Sequence, residues 1–297
     1  MNEWASKTVK RMLGVEHSHI VFTLPSDLWP LIKGNDACIK ELSAATFRVV
    51  QETMSKSAKQ DIIPGMINSL QTYGQDIKYN VHFHTIVTEG GISKKTKVWK
   101  LVHYIPYDIM RIKWKKYALD VIIKYVGRHN QILLYDLYYH RYRNGFNLRR
   151  IKTNIPKKEL VMYIARYVRH PAISNRRIVN YDGKTVTIVC EDKERGIRWY
   201  PAFTVEEFIT RLIQHIPKKN FKLIRYYGLY SRKKNNNKVP IKRDKQESIT
   251  KYFRSKHSIE CPGCDKLLHL LCYFPPYSDR GPPHVIIFGE RIIDYVS

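Results

Sequence analysis

The stretch Ile77-Lys78-Tyr79-Asn80-Val81-His82-Phe83-His84-Thr85-Ile86-Val87-Thr88 decides the reading of this chain. Its β-branched and aromatic residues at a period of two predict a strand, closed by a turn at Gly90-Gly91. Alternation puts His82 and His84 on one face and Val81, Phe83 and Thr85 on the other. Two imidazoles on a rigid strand can reach one divalent cation, which polarises a phosphate oxygen and stabilises charge developing in phosphoryl transfer. With 12 histidines among 297 residues, His-x-His is also common by chance, and His17-Ser18-His19 is a second instance. Spacing alone therefore leaves a metal site and a structural role open for either pair. Gln75, just before the strand, offers an amide oxygen as a third ligand, and Asp76 beside it a carboxylate. Both also suit an ordinary turn after Gly74.

Outward from this strand, helical and extended patterns intersperse without a regular βαβ period. A helix is expected over Trp4–Leu13, a strand from His17 to Pro25, and a long helix from Asp36 through Met54. A second helical piece is expected around Met66–Tyr73, a basic helix from Asp108 to about Tyr125, and a Tyr-rich helical run from Gln131 to Tyr142. Phe146–Lys152 reads as a strand, and Pro156 and Pro171 bracket another helix. Asp182-Gly183 between two β-branched runs marks a hairpin within Arg177–Glu191. A helix follows Thr204, with Glu206 and Glu207 in its first turn, and Phe221–Tyr230 is extended. This order predicts an α+β fold with a central, mainly antiparallel sheet that carries the His-x-His strand and is flanked by helices. Residues 1–230 form the expected main domain. Residues 231–250, with Arg232, Lys233, Lys234 and three consecutive Asn, lack an apolar face and read as a basic linker or loop. Residues 251–297 form a small tail.

The chain carries 52 Lys and Arg against 26 Asp and Glu, a net charge of +26. That excess points to a polyanion, and 21 tyrosines add rings on which bases stack, so nucleic acid is the expected partner. No apolar run is long enough to span a bilayer, and no signal-like segment opens the chain. Hydrophobic residues at 43% supply a core. Five irregularly spaced cysteines argue against a disulfide framework and for a reducing compartment.

Tyr163 and Tyr167 stand four apart on the expected Pro156–Pro171 helix and share a face. Two such phenols can act in turn as nucleophiles on phosphodiesters, each forming a covalent phosphotyrosine that conserves the energy of the broken bond. Rejoining then needs no nucleotide cofactor. Arg166 and Arg169 offer cations for the backbone of the same DNA. Other Tyr pairs, among them Tyr135 and Tyr139, repeat the spacing, so the pair on its own also fits packing or stacking.

The order of these elements is more specific than any one of them. Phe22-Thr23-Leu24-Pro25 resembles the first motif of HUH-superfamily replication and transposition nucleases. Gly74-Gln75-Asp76 through Val87, with Glu89-Gly90-Gly91, resembles the histidine motif of the two-tyrosine rolling-circle transposases, the bacterial and archaeal insertion-sequence type. Tyr163-Ile164-Ala165-Arg166-Tyr167-Val168-Arg169, with Pro171-Ala172-Ile173-Ser174, resembles their tyrosine motif. The likeness continues through Arg177-Ile178, Tyr181-Asp182-Gly183-Lys184, Arg225-Tyr226-Tyr227-Gly228 and Cys261-Pro262-Gly263-Cys264, and so covers nearly the whole chain.

The resemblance implies His82 and His84 as ligands of Mg²⁺ or Mn²⁺, with Gln75 the candidate third. It implies Tyr163 and Tyr167 as nucleophiles that nick single-stranded DNA at transposon ends, leaving a 5′-phosphotyrosine and a free 3′-OH. Arg166, Arg169, Arg232, Lys233 and Lys234 are expected on the DNA, and a cytoplasmic, nucleoid-associated location follows. In the tail, Cys261 and Cys264 have zinc-knuckle spacing, and His269 and Cys272 would complete a four-ligand Zn²⁺ site. The family commonly carries a Cys-rich zinc module ahead of the nuclease and His-Pro before the histidine pair. Here no Cys-rich stretch precedes Trp4, as in a shortened copy, and Asn80-Val81 replaces His-Pro. A non-catalytic DNA-binding remnant and a rolling-circle replication initiator are the alternative expectations.

Overall fold

The computed structural model describes residues 3–102, 104–127, 130–151, 158–162, 172–192 and 195–231, with the backbone of three strands beyond them. Two compact units divide the chain, Met1–Lys242 and Arg243–Ser297. In the first, α1 (Glu3–Arg11) leads into β1 (His17–Thr23) and then the long α2 (Asp36–Ser57). Next come β2 (Ile62–Tyr73), β3 (Tyr79–Ser93) and β4 (Trp99–Leu101). The helix α3 (Tyr107–Ile122) precedes the short α4 (Gln131–Asp136), which continues into a π-helical turn at Leu137–Arg141, and β5 (Leu148–Ile151) follows. Strands β11 (Ile224–Gly228), β2, β3, β1 and β5 lie side by side in that order, with β4 also paired to β3, and every pairing is antiparallel. The fold is thus α+β with an antiparallel sheet flanked by helices.

Each face of the sheet has its own apolar layer. Val81, Phe83 and Val87 of β3 join Phe22 of β1 and Met66 and Leu70 of β2 against α2 and α3, where the buried Trp114 ring meets Phe22 and Phe83 edge-on. Ile67 and Ile86 point to the opposite face and pack with Ala5 and Met12 and with Leu160 and Val161 of a helical turn at 158–162.

A smaller sheet of β6 (Ile178–Tyr181), β7 (Thr185–Ile188) and β10 (Ala202–Thr204) follows, ordered β10-β7-β6. Between its strands, β8 (Cys190–Asp192) pairs with β9 (Ile197–Trp199). The Asp182 carboxylate accepts from the amides of Lys184 and Thr185, which fixes the turn read from Asp182-Gly183. Thr204 and Glu207 form a reciprocal capping box at the start of α5 (Val205–Ile213). In the second unit, β12 (Ile259–Glu260) pairs with β13 (Leu267–Tyr273), which pairs with β14 (Val285–Phe288).

Two local expectations fail. Met66–Tyr73 is part of a strand, not a helix. Being covered on both faces, β2 has lost the polar–apolar alternation that marks a half-exposed strand. Gly90-Gly91 does not turn the chain either, because β3 runs through it to Ser93. A Cβ at Gly90 would press on the Lys100 carbonyl oxygen and the Trp99 indole, and one at Gly91 would stand 2.7 Å from the Ile63 carbonyl oxygen. The glycines permit close approach of three backbones. Gly90→Ala is expected to lower stability by about 2 kcal/mol through overpacking, read as an earlier urea midpoint, and an unchanged midpoint would contradict this account.

Candidate active site

The register of β1, β2 and β3 assembles the site. His82 lies opposite Gln71 and Thr23, and His84 opposite Ser69 and Val21, so these side chains share a face with His19 and Ile86. His84 is buried between two partners. Its Nε2 is 2.8 Å from Gln71 Oε1 and its Nδ1 is 3.2 Å from His19 Nε2. The Gln71 amide group donates from Nε2 to the Tyr73 carbonyl at 3.0 Å, which turns Oε1 toward the imidazole. His84 therefore donates from Nε2, and its Nδ1 accepts from His19. His82 is half-buried at the rim, its ring centroid 5.5 Å from that of His84, and Asn80 Oδ1 lies 3.2 Å from its Nδ1. With Nδ1 donating to Asn80, the lone pair of His82 Nε2 is free for a cation.

Desolvation lowers the pKa of His19 and of His82 to about 4. His84 falls well below the ordinary value, first by burial and then by its neighbours His82 and His19. All three rings are neutral at pH 7, the form that ligates metal. In metal-free protein the unfolded imidazoles protonate near pH 6.5 while the folded ones resist, so stability is flat above that pH and falls as pH drops toward 4. For the buried His19 the loss reaches about 3 kcal/mol. Melting temperature in EDTA is expected to decline steadily from pH 6.5 to 4.5, and a flat profile would refute this.

Gln75 does not stand with the histidines. It is exposed in the turn after β2, where its backbone carbonyl accepts from Arg177 Nη2 and from Cys190 Sγ at 3.3 Å. The carboxamide beside the imidazoles is that of Gln71, which the helical reading of Met66–Tyr73 had concealed. His19 was visible as a pair with His17, but the pair divides: His17 Nε2 instead lies 2.6 Å from the Tyr230 hydroxyl.

Among the described residues no three His, Cys, Asp or Glu side chains form a metal-holding cluster. The donor set that fits a hard divalent cation is the His82 and His84 imidazoles with the Gln71 carboxamide oxygen, all uncharged. For His84 Nε2 and Gln71 Oε1 to share one cation, the hydrogen bond between them would have to open and the His84 proton move to Nδ1, with His19 Nε2 then accepting from it and the His19 proton moving to its own Nδ1.

Two anchors flank this cluster along the β2–β3 hairpin. On one side Leu160 and Val161 bury against Ile67 and Ile86 on the histidine face. On the other, Ala172 and Ile173 join Ile77 at the hairpin tip, together with Val186, Ile188, Phe203 and Phe208. Ile77 has a left-handed φ of 57° and its carbonyl accepts from His215 Nε2 at 2.9 Å and from Gln214 Nε2 at 3.1 Å. Tyr163, Arg166, Tyr167 and Arg169 lie between the anchors in sequence but outside the described residues, as do Arg232, Lys233, Lys234, Cys261 and Cys264. His269 and Cys272 fall on β13, whose backbone only is described.

A family profile described as "Putative transposase" matches residues 65–238, more than half of the chain. The chain is 27% identical over 240 residues to the transposase for insertion sequence element IS801 of Pseudomonas savastanoi pv. phaseolicola, covering 76% of this chain and 57% of that protein. It is 26% identical over 264 residues to "Putative transposase y4qJ" of Sinorhizobium fredii (strain NBRC 101917 / NGR234), covering 82% and 65%. It thus spans less than two thirds of the length of these relatives. No solved structure matches it. Among the described residues, no helix is long and apolar enough to cross a membrane. The histidine motif, the small-sheet segment and the strand that closes the main sheet all fall within the family match, and the chain belongs to this transposase family.

Proposed function

We propose that the chain is a metal-dependent transposase that nicks single-stranded DNA and transfers strands through 5′-phosphotyrosine links on Tyr163 and Tyr167. One observation carries the reading: the chain enters and leaves the tyrosine segment at anchors on either side of the His82, His84 and Gln71 cluster. The ten residues between Val161 and Ala172 thus join two points that bracket the three donors.

In each step a tyrosine oxygen bonds to phosphorus, the P–O3′ bond breaks, the phenol loses its proton, and the 3′ oxygen gains one. A 3′-OH attacking the phosphotyrosine reverses this and restores the phenol. His82, His84 and Gln71 would hold Mg²⁺ or Mn²⁺, which supplies positive charge at the scissile phosphate. Asn80 and the Tyr73 carbonyl keep the His82 Nε2 and Gln71 Oε1 aimed. Because the donors bring no negative charge, a phosphate beside them would complete the charge balance of a bound cation. A Zn²⁺ site on Cys261, Cys264, His269 and Cys272 remains part of the proposal for the tail. The test is a metal-dependent covalent adduct between the chain and a labelled single-stranded oligonucleotide carrying the element's end, stable in SDS. Salt-sensitive binding without adduct under any divalent metal would identify a non-catalytic binder instead.

A further inference from the structure

The aromatic run between α3 and β5 has no part in that site, yet it forms the most exposed cluster of rings on the described surface. Ile132 is 84% exposed, Tyr135 59% and Tyr139 55%. The rings of Tyr135 and Tyr139 lie 4.5 Å apart, with Tyr138 4.7 Å beyond Tyr139 and His140 6.0 Å from Tyr135. Tyr135 and Tyr139 do not fill a core; the same segment sends Leu134 and Leu137 inward for that and packs Tyr138 against its edge.

The cluster is held from beneath. It straddles the junction of α4 with the π-helical turn, an irregularity that recurs at functional sites. Lys115 is buried under that turn, donating to the Tyr138 carbonyl at 2.7 Å with its ammonium 4.5 Å from the Tyr138 ring centre. Arg141 and Tyr142 tie its end to Asp27 at 2.8 and 3.1 Å. The rings are thus presented on a fixed backbone, and little order has to be imposed when a flat ligand stacks on them.

Charge identifies the ligand. Residues 137–151 contain four arginines and no Asp or Glu; Arg141 pairs with Asp27 and Asp136 and Arg150 with Glu89, and Arg143 and Arg149 are the other two cations of the strip. Arg143 is exposed just past the rings, and the strip ends on β5, where Arg149 stands opposite Val21 and Ile151 opposite His19, on the histidine face. A second copy of a chain with net charge +26 would be repelled from such a strip, whereas a polyanion with flat bases is attracted. We propose that Tyr135 and Tyr139 form a base-stacking platform for single-stranded DNA, separate from the strand-cleavage site, with Arg143 and Arg149 carrying the phosphates from it to the histidine face. The inference rests on the reading of single-stranded DNA as substrate.

The experiment is fluorescence anisotropy of the full chain with a labelled oligothymidine of about 20 nucleotides, in EDTA so that no strand is cut. Tyr135→Ala with Tyr139→Ala is expected to weaken binding about 10- to 100-fold, and the double Phe variant to bind within about twofold of the parent. Arg143→Ala is expected to weaken binding less and to flatten its salt dependence. Parental affinity in the double Ala variant, with its circular dichroism unchanged, would overturn the platform. So would an equal loss of duplex binding, or a loss of self-association alone. The covalent adduct separates the two readings: at saturating oligonucleotide it persists in the double Ala variant and is lost with Tyr163→Phe and Tyr167→Phe. If instead the Phe pair retains the adduct while the Ala pair loses affinity, the nucleophile assignment fails and the platform stands.

Discussion

Replacing Tyr163 and Tyr167 together with phenylalanine is expected to abolish covalent attachment of single-stranded DNA, a drop on the order of 10⁴-fold or more. Phenylalanine keeps the ring and removes only the oxygen proposed to bond to phosphorus. The fold is therefore retained, and the loss reports chemistry. Each single variant is expected to retain an adduct at the remaining phenol while losing completed strand transfer, since in the proposed reaction one tyrosine holds an end while the other cuts. Denaturing gels of labelled oligonucleotide against parent, single and double variants check this. An adduct surviving in the double variant would place the nucleophile elsewhere.

His84→Ala is expected to cut the rate of adduct formation by about 10³-fold, by removing a proposed ligand and the imidazole that Gln71 and His19 face. Gln71→Ala is expected to cost about 10- to 100-fold, in the range for a group that aims or completes a metal site. Gln75→Ala is expected to leave the rate unchanged, because its side chain is exposed in the turn beyond β2. The ordering of Gln71 against Gln75 is the informative comparison. Adduct rates over a Mn²⁺ titration measure it. Equal behaviour of the two glutamines would refute the donor set, and a larger loss at Gln75 would restore the sequence-based assignment.

The sequence showed clearly what depends on neighbours close along the chain. Strict alternation around Val81-His82-Phe83-His84 placed both imidazoles on one face, and Asp182-Gly183 and Thr204 marked a turn and a cap made within three residues. It hid what depends on pairing between strands. β2 is covered on both faces, so its pattern lost the period of two and with it the fact that Gln71 faces His82. His19 looked like half of a local pair because nothing in Ser18 or its flanks reveals that β1 lies beside β3. Gly90-Gly91 read as a turn because glycine serves turns and close backbone contact alike.

The tip of the β2–β3 hairpin has a consequence for the order in which the protein matures. A β-branched residue held at a left-handed φ costs on the order of 1–3 kcal/mol. At Ile77 that cost is offset by groups far along the chain, the side chains of Gln214 and His215 on its own carbonyl and that of Arg177 on the neighbouring Gln75 carbonyl. The hairpin itself pairs locally and fast, whereas its latch is of high contact order and arrives late. During synthesis the imidazoles are therefore in register well before the tip is fastened. The stretch at Ala172 and Ile173 is anchored only when the small sheet closes on Ile77, as the end of α5 emerges.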